Sequence, residues 1–410
     1  MNSNYNKRKI INDPVHGLIT IPSDLIFDLI EHPWFQRLRR IKQLGLTHYV
    51  YPSAVHNRFQ HAIGCLFLMS QAIEVLRSKG IGITQEEAEG VQIAILLHDI
   101  GHGPFSHTLE ESIVKGLSHE DISCYMMKEL DLEFEGRLSL AREIFLDTYP
   151  KKFLHKLVSS QLDMDRLDYL ARDSFFTGVV EGIINSDRII RMLNIVDDEL
   201  VVEGKGIYSI EKFIVARRLM YWQVYLHKTV VAAEYMMINI LRRAKELALM
   251  GVPVFATPVL GAFLTTSVTR QLFLEEEIWL DHFSLLDDSD IFSAIKVWAS
   301  HPDKILSGLS RGLVNRKLYR AILQQAPFDP AYVASVREDA IKRYGLNEEE
   351  VKYFVIEDSV SNNAYHPTHD MIRILFRNGE VTDVSAASEQ LSIAVLQKTV
   401  SKNVLCFPKS

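Results

Sequence analysis

Fifteen residues, Ile93-Ala94-Ile95-Leu96-Leu97-His98-Asp99-Ile100-Gly101-His102-Gly103-Pro104-Phe105-Ser106-His107, restrict this chain more than any other stretch. An apolar run ends on an adjacent His-Asp pair, and two glycines and a proline then stop the helix. A packed helix holds its last residues still, and the break after Asp99 lets both side chains turn toward one point beyond its end. An imidazole beside a carboxylate is ordinary ligand chemistry for a divalent transition metal. The stretch reads as half of a metal site.

The remainder of the chain has the capacity to support such a site. With 410 residues, 47% hydrophobic and 24% charged, one large or two medium domains are expected, with ample core. A net charge of -7 argues against nucleic acid as a partner, local basic patches aside. Three scattered cysteines, Cys65, Cys124 and Cys406, exclude a disulfide framework or a cysteine zinc cluster and suit a reducing compartment. The polar, basic start (Met1 to Lys9) carries no secretion signal, and the apolar stretch Ala62 to Leu76 is too short and too polar to span a bilayer. A cytoplasmic protein without membrane contact is expected.

In chain order, Ile10 to Ile21 predicts a turn and a short strand. Ser23 caps a helix to about Glu31, and Pro33 starts another that runs to Gly45. Its Arg37, Arg39, Arg40 and Lys42 form a basic cluster, either a solvated face or an anion site. His56 to His61 opens a long apolar helix ended by Gly80, and Thr84 with Glu87 makes a capping box for the helix that delivers His98. Ser118 caps a helix with His119, Glu120 and Asp121 in its first turn. From Leu162 to Asp173 a helix places Asp165, Tyr169 and Asp173 at i, i+4 and i+8, on one face. Glu199 to Tyr208 reads as a hairpin turning at Gly204 and Gly206, after which Ser209 caps a long helix. A boundary falls near Gly251 to Gly261, followed by helices to about Gly345. Strands are expected at Val351 to Ile356, Met371 to Phe376 and Val404 to Phe407, with a turn at Asn378-Gly379.

Six of the fifteen histidines, His56, His61, His98, His102, His107 and His119, lie in one stretch. Beside the His98-Asp99 pair, His61 and Asp165 supply a second imidazole and a second carboxylate. Four such donors leave open positions for water or substrate, and mixed nitrogen and oxygen ligation suits manganese, iron, zinc, cobalt or nickel rather than calcium.

The pattern H…HD…D in these residues resembles the signature of the HD-domain metal-dependent phosphohydrolases. KIINDPVHG (9–17), FQRLRRIKQLG (35–45), HNRFQHAIG (56–64), LLHDIGHGPFSH (96–107), DMDRLDYLARD (163–173) and RRLMYWQVYLHK (217–228) resemble more narrowly the deoxynucleoside triphosphate triphosphohydrolase branch. The resemblance is dense from about Lys9 to Lys228 and thin afterwards. It implies a mainly α fold: a helical HD core with small β-hairpins and a C-terminal α+β region. A catalytic domain is expected over 1–250, with its core at about 35–230, and a C-terminal region for assembly or regulation over 251–410.

The same resemblance implies cleavage of a dNTP into deoxynucleoside and inorganic triphosphate, with one divalent transition metal held by His61, His98, Asp99 and Asp165, and magnesium accompanying the phosphates. His102, His107 and His119 match active-site histidines, with His107 favoured as proton donor to the 5′ oxygen. Arg58, Arg166 and Arg217 match phosphate contacts, Arg166 standing where relatives can carry lysine. Gln43, Leu44, Tyr169, Asp173 and Tyr225 match a deoxyribose pocket. Lys9, Ile10, Asn12, Glu31 and Arg39 correspond to an activator site for guanine nucleotides between subunits of a homodimer or homotetramer. There Glu31 replaces a shorter aspartate of the vertebrate relative. Two other readings compete: an HD phosphohydrolase acting on another nucleotide or phosphoester, and a nucleotide-sensing protein without turnover.

Overall fold

A computed structural model of the chain describes residues 9–105, 108–362, 371–388 and 400–409. His107, with Ser106, lies outside the described residues, as do 363–370 and 389–399. The architecture is mainly α, with three small sheets.

The chain opens with an antiparallel hairpin, β1 (Ile10–Asp13) and β2 (Gly17–Thr20), where a turn and one strand were expected. Ser23 caps the helix Asp24–Glu31 by accepting the Ile26 N–H. The expected helix from Pro33 to Gly45 does not form as one piece. It is helical over Pro33–Gln36, tightens to a 3-10 turn over Arg37–Arg40, and becomes extended at Ile41. The cause is tertiary: Ile41 and Gln43 bond to Arg58 and His56 through their backbones, at 3.0 Å each, and this brings Gln43 beside His56. Arg37 is fully buried, so neither a solvated face nor an anion site describes it.

Three helices form the centre. Arg58–Ser78 starts at a capping box of Asn57 and Gln60, Gln85–Leu97 at the expected box of Thr84 and Glu87, and Met164–Thr177 is capped by Asp163. The first packs against both others. Arg58–Ser78 is long and apolar enough to cross a membrane by composition alone, but two-thirds of its most apolar window is buried inside the protein, as befits a core helix.

The second hairpin pairs β3 (Leu193–Val196) with β4 (Glu199–Glu203), and its turn is Asp197-Asp198, both left-handed, at φ 51° and 62°. The glycine turn expected at Gly204 and Gly206 is instead a 3-10 turn that leads into the helix Ile207–Met220, one which no side chain caps, Ser209 included. Gly206 serves packing: a Cβ there would sit 2.8 Å from Val202 and 2.9 Å from Met192. Beyond Ile207–Met220 one π turn, Tyr221–Tyr225, precedes the long helix Lys228–Leu249.

One hydrophobic core draws on residues from Ile19 to Cys406, on both sides of the Gly251 to Gly261 stretch, and a second small cluster gathers Val333, Val336, Ala340, Val351, Val355 and Leu405. Further helices follow to Tyr344, interrupted by a strand that the sequence did not announce, β5 (Arg320–Gln324). Val351–Tyr353 is a 3-10 turn, not a strand, and the strand there is β6 (Ile356–Asn362). β6 and β5 flank the last strand, β9 (Val400–Phe407), while β7 (Arg373–Leu375) pairs parallel to β4 and turns at Asn378-Gly379 into β8 (Val381–Asp383).

Candidate metal centre

His61 lies in the first turn of Arg58–Ser78, His98 caps the end of Gln85–Leu97, Asp99 follows it, and Asp165 sits in the first turn of Met164–Thr177. The packing of three helices therefore brings four side chains distant in sequence to one place. His61 Nε2 is 3.0 Å from Asp165 Oδ1 and 3.8 Å from Asp99 Oδ2; His98 Nε2 is 3.3 Å from Asp99 Oδ1 and 3.6 Å from Asp165 Oδ1. The His98 to His102 backbone is held by Ser123, whose hydroxyl donates to His98 O at 2.7 Å and accepts the Gly101 N–H at 2.9 Å. Gly101 allows that approach, since a Cβ there would fall 2.3 Å from the backbone of His119 and Ser123.

The donors fit a cation. His61 Nδ1 faces the Asp168 carboxylate at 2.8 Å and His98 Nδ1 the Ile95 carbonyl at 2.6 Å. Both partners only accept, so each Nδ1 carries the hydrogen and each Nε2 is left with a lone pair turned on the two carboxylates. His98 Nε2 is buried and without a hydrogen-bond partner. Burial alone would lower the basicity of both imidazoles, but Asp165 and Asp168 around His61, and Asp99 and Asp165 around His98, raise it. Against burial, His98 and Arg58 hold Asp99 well below the usual carboxylate range, and the two imidazoles do the same for Asp165. Such a pocket draws in positive charge, and two imidazole nitrogens with carboxylate oxygens suit a transition metal. Cys65, which the sequence reading left aside, lies with its Sγ 3.6 Å from the His61 ring nitrogens; burial keeps its thiol protonated.

Beside the four donors lie the other candidates. Arg58 is ion-paired to Asp99. His102 Nε2 is 3.3 Å from Asp99, and its ring stacks on that of His119 with centroids 3.8 Å apart. Burial, then the Arg58 charge, pushes His102 well below its ordinary pKa, so its ring stays neutral. Arg37 fixes this loop from behind by donating to His102 O at 2.9 and 2.8 Å. Asp288, from the region after Gly251, accepts the backbone N–H groups of Lys42 at 3.0 Å and Phe105 at 2.8 Å, which ties the Gln43 segment to the His102 loop.

A second group gathers around Asp173. Tyr225 donates to Asp173 Oδ2 at 2.8 Å, and His56 Nε2 donates to Asp173 Oδ1 at 2.7 Å. The π turn carries Tyr225 there; π turns recur at functional sites because they re-aim one side chain. Tyr169 is edge-on to Tyr225, and burial raises its pKa to about 12 while Arg217 and Arg166 act in the opposite sense. Arg166 donates to Ser160 O at 2.6 Å and pairs with Asp163 at 3.3 Å. Gln43 and Leu44 are half-buried, and Gln43 Oε1 has no hydrogen-bond partner among the described residues.

The surface candidates stand apart. Lys9 pairs loosely with Glu31 at 3.8 Å and lies over Phe27, while Ile10 and Asn12 are exposed on β1. Arg39 lies over Phe59 at 3.5 Å and donates to Gln36; among the described contacts none joins it to Glu31. Sequence reasoning gave no role to His16, Asp168, Arg172 and Asp288, named His56 only among the clustered histidines, and took Arg37 for part of a basic cluster. Only Asp168 and Arg172, at i and i+4 within DMDRLDYLARD, left a local signal.

Comparison with known proteins agrees with this geometry. The HD domain model matches residues 58–173, and the HD associated region model matches residues 184–251. A phosphohydrolase of known structure from Bacteroides thetaiotaomicron superposes with a TM-score of 0.95 at 53% identity, over 98% of this chain and 100% of that one. The uncharacterized protein YwfO of Bacillus subtilis is 32% identical over 100% of this chain and 94% of its own length. The deoxynucleoside triphosphate triphosphohydrolase SAMHD1 homolog of Dictyostelium discoideum is 32% identical over 60% of this chain, which spans only 51% of that relative. Full-length likeness, family models and the meeting of two histidines with two aspartates together place the chain in the HD-domain phosphohydrolase family.

Proposed function

We propose that the chain hydrolyses deoxynucleoside triphosphates to deoxynucleoside and inorganic triphosphate. The observation that carries the reading is the meeting of the oriented His61, His98, Asp99 and Asp165 donors, with Asp173, held by Tyr225 and His56, two turns further along the helix of Asp165. A divalent cation held by these four would supply Lewis acidity for phosphoester hydrolysis and a more acidic water. The remaining work falls to the chain. Arg166 and Arg217 take up triphosphate charge through guanidinium forks, while Arg58 keeps Asp99 ionised and in place. Asp173, with both oxygens held by Tyr225 and His56, accepts the sugar 3′-hydroxyl; Gln43 Oε1, with no hydrogen-bond partner among the described residues, is a second acceptor. Tyr169 and Tyr225 crowd the place of a 2′-hydroxyl. His102, kept neutral, is suited to hydrogen-bond a phosphate oxygen rather than to act as the general acid, so donation to the 5′ oxygen is assigned to His107, with His119 next in line.

Manganese, iron, zinc, cobalt or nickel would serve as the cation, with magnesium on the substrate phosphates. We further assign the Lys9, Ile10, Asn12, Glu31 and Arg39 surface to a guanine-nucleotide activator in a cytoplasmic homodimer or homotetramer. The test is product analysis of mixed dNTP and rNTP pools incubated with manganese, with and without GTP. Inorganic triphosphate is expected from dNTPs, with rNTPs cleaved at least about 100-fold more slowly because Tyr169 and Tyr225 leave no room for the extra hydroxyl. Release of monophosphate or pyrophosphate, or equal rates on both pools, would refute the assignment.

A further inference from the structure

We propose that the β1–β2 hairpin is an energetic part of the cation centre, so that seating the hairpin and holding the cation are coupled through Asp168. The inference rests on the metal reading of the four donors. Asp168 is fully buried and accepts from four nitrogens: His61 Nδ1 at 2.8 Å, His16 Nε2 at 2.6 Å, and Arg172 Nε and Nη2 at 2.8 and 3.0 Å. The third Arg172 nitrogen, Nη1, reaches Asp13 at 2.7 Å. Asp13 ends β1, and its other oxygen accepts the Val15 and His16 N–H groups at 2.9 Å each, fixing the turn that presents His16. The hairpin therefore reaches the carboxylate that orients His61 directly through His16 and, through Arg172, from Asp13.

The central helix leaves room for this network. A Cβ on Gly64 would fall 2.0 Å from Asp168 Oδ1 and 2.3 Å from Arg172 Nη2. These groups are positioning residues that act through the His61 ring. A carboxylate behind a ligating imidazole fixes its tautomer and strengthens its other nitrogen as a donor. The hairpin depends on the network in turn. Two strands of four residues are barely stable alone, and Ile10 and Leu18 are exposed, so its seat is Ile11 and Ile19 together with the Asp13 and His16 bonds. Because coupling is reciprocal, whatever the hairpin adds to cation affinity the cation returns to hairpin seating.

The test uses the full chain, with cobalt(II) or manganese(II) binding measured by calorimetry and amide exchange followed over residues 10–20 with and without the metal. Asp168→Asn is expected to weaken binding by about 10–100-fold. His16→Phe, which keeps a ring against Phe67 but loses the N–H, is expected to weaken it by about 5-fold or more, and His16→Gln to recover most of the loss. Metal should slow exchange in the hairpin of the wild type and leave that of His16→Phe unchanged. If Asp168→Asn is not folded, the His16 pair decides alone. Wild-type affinity in His16→Phe, or hairpin exchange indifferent to metal, overturns the inference while leaving the metal site standing. No metal bound by the wild type overturns the metal reading and this inference with it.

Discussion

Asp165→Ala is expected to lose turnover by about 1000-fold or more, because removing a cation's ligand forfeits several kcal/mol of transition-state stabilisation. The fold should survive. The Asp165 side chain is 28% exposed at the start of its helix, which Asp163 caps independently through the Arg166 N–H. The loss should therefore appear in kcat and in bound metal, with far-ultraviolet circular dichroism and the melting transition little changed. Turnover within about tenfold of wild type would remove Asp165 from the ligand set.

Gly64→Ala carries the second large effect, and its sign is diagnostic. By helix propensity alone, alanine inside the Arg58–Ser78 helix should stabilise by about 1 kcal/mol. The built position of the Cβ says the reverse, since it would occupy the space of the Asp168 carboxylate and the Arg172 guanidinium. Both groups are buried and paired, so neither can swing into water without stranding the other. Breaking a buried pair costs about 3–5 kcal/mol, so a denaturant titration should find the variant less stable by roughly that amount. A variant as stable as wild type would show that the network shifts freely and does not hold His61.

What the sequence made legible follows from how local each feature is. His98 and Asp99 were readable because an apolar run and two glycines sit beside them, and Asp165, Tyr169 and Asp173 because helical spacing puts them on one face. The capping box of Thr84 and Glu87 and the Ser118 cap were visible for the same reason, each a pattern within four residues. The supporting contacts were not readable. His16 meets Asp168 across 152 residues and Lys42 meets Asp288 across 246, and no periodicity encodes such a meeting. Arg37 misled for a related reason: it stands in a run of basic residues that looks solvated, while the helix that would expose it ends one residue earlier. In the second hairpin two aspartates take the left-handed turn and the nearby glycine serves a close contact, which reverses the usual inference from glycine.

The central claim is that one cation is shared by four side chains from three helices. Crystals grown with manganese, with data collected at its absorption edge, test it most directly. The account predicts a single strong anomalous peak within about 2.0–2.3 Å of His61 Nε2, His98 Nε2 and one carboxylate oxygen each of Asp99 and Asp165. A protein saturated with manganese in solution whose crystals show no peak among those atoms, or one elsewhere, would contradict it.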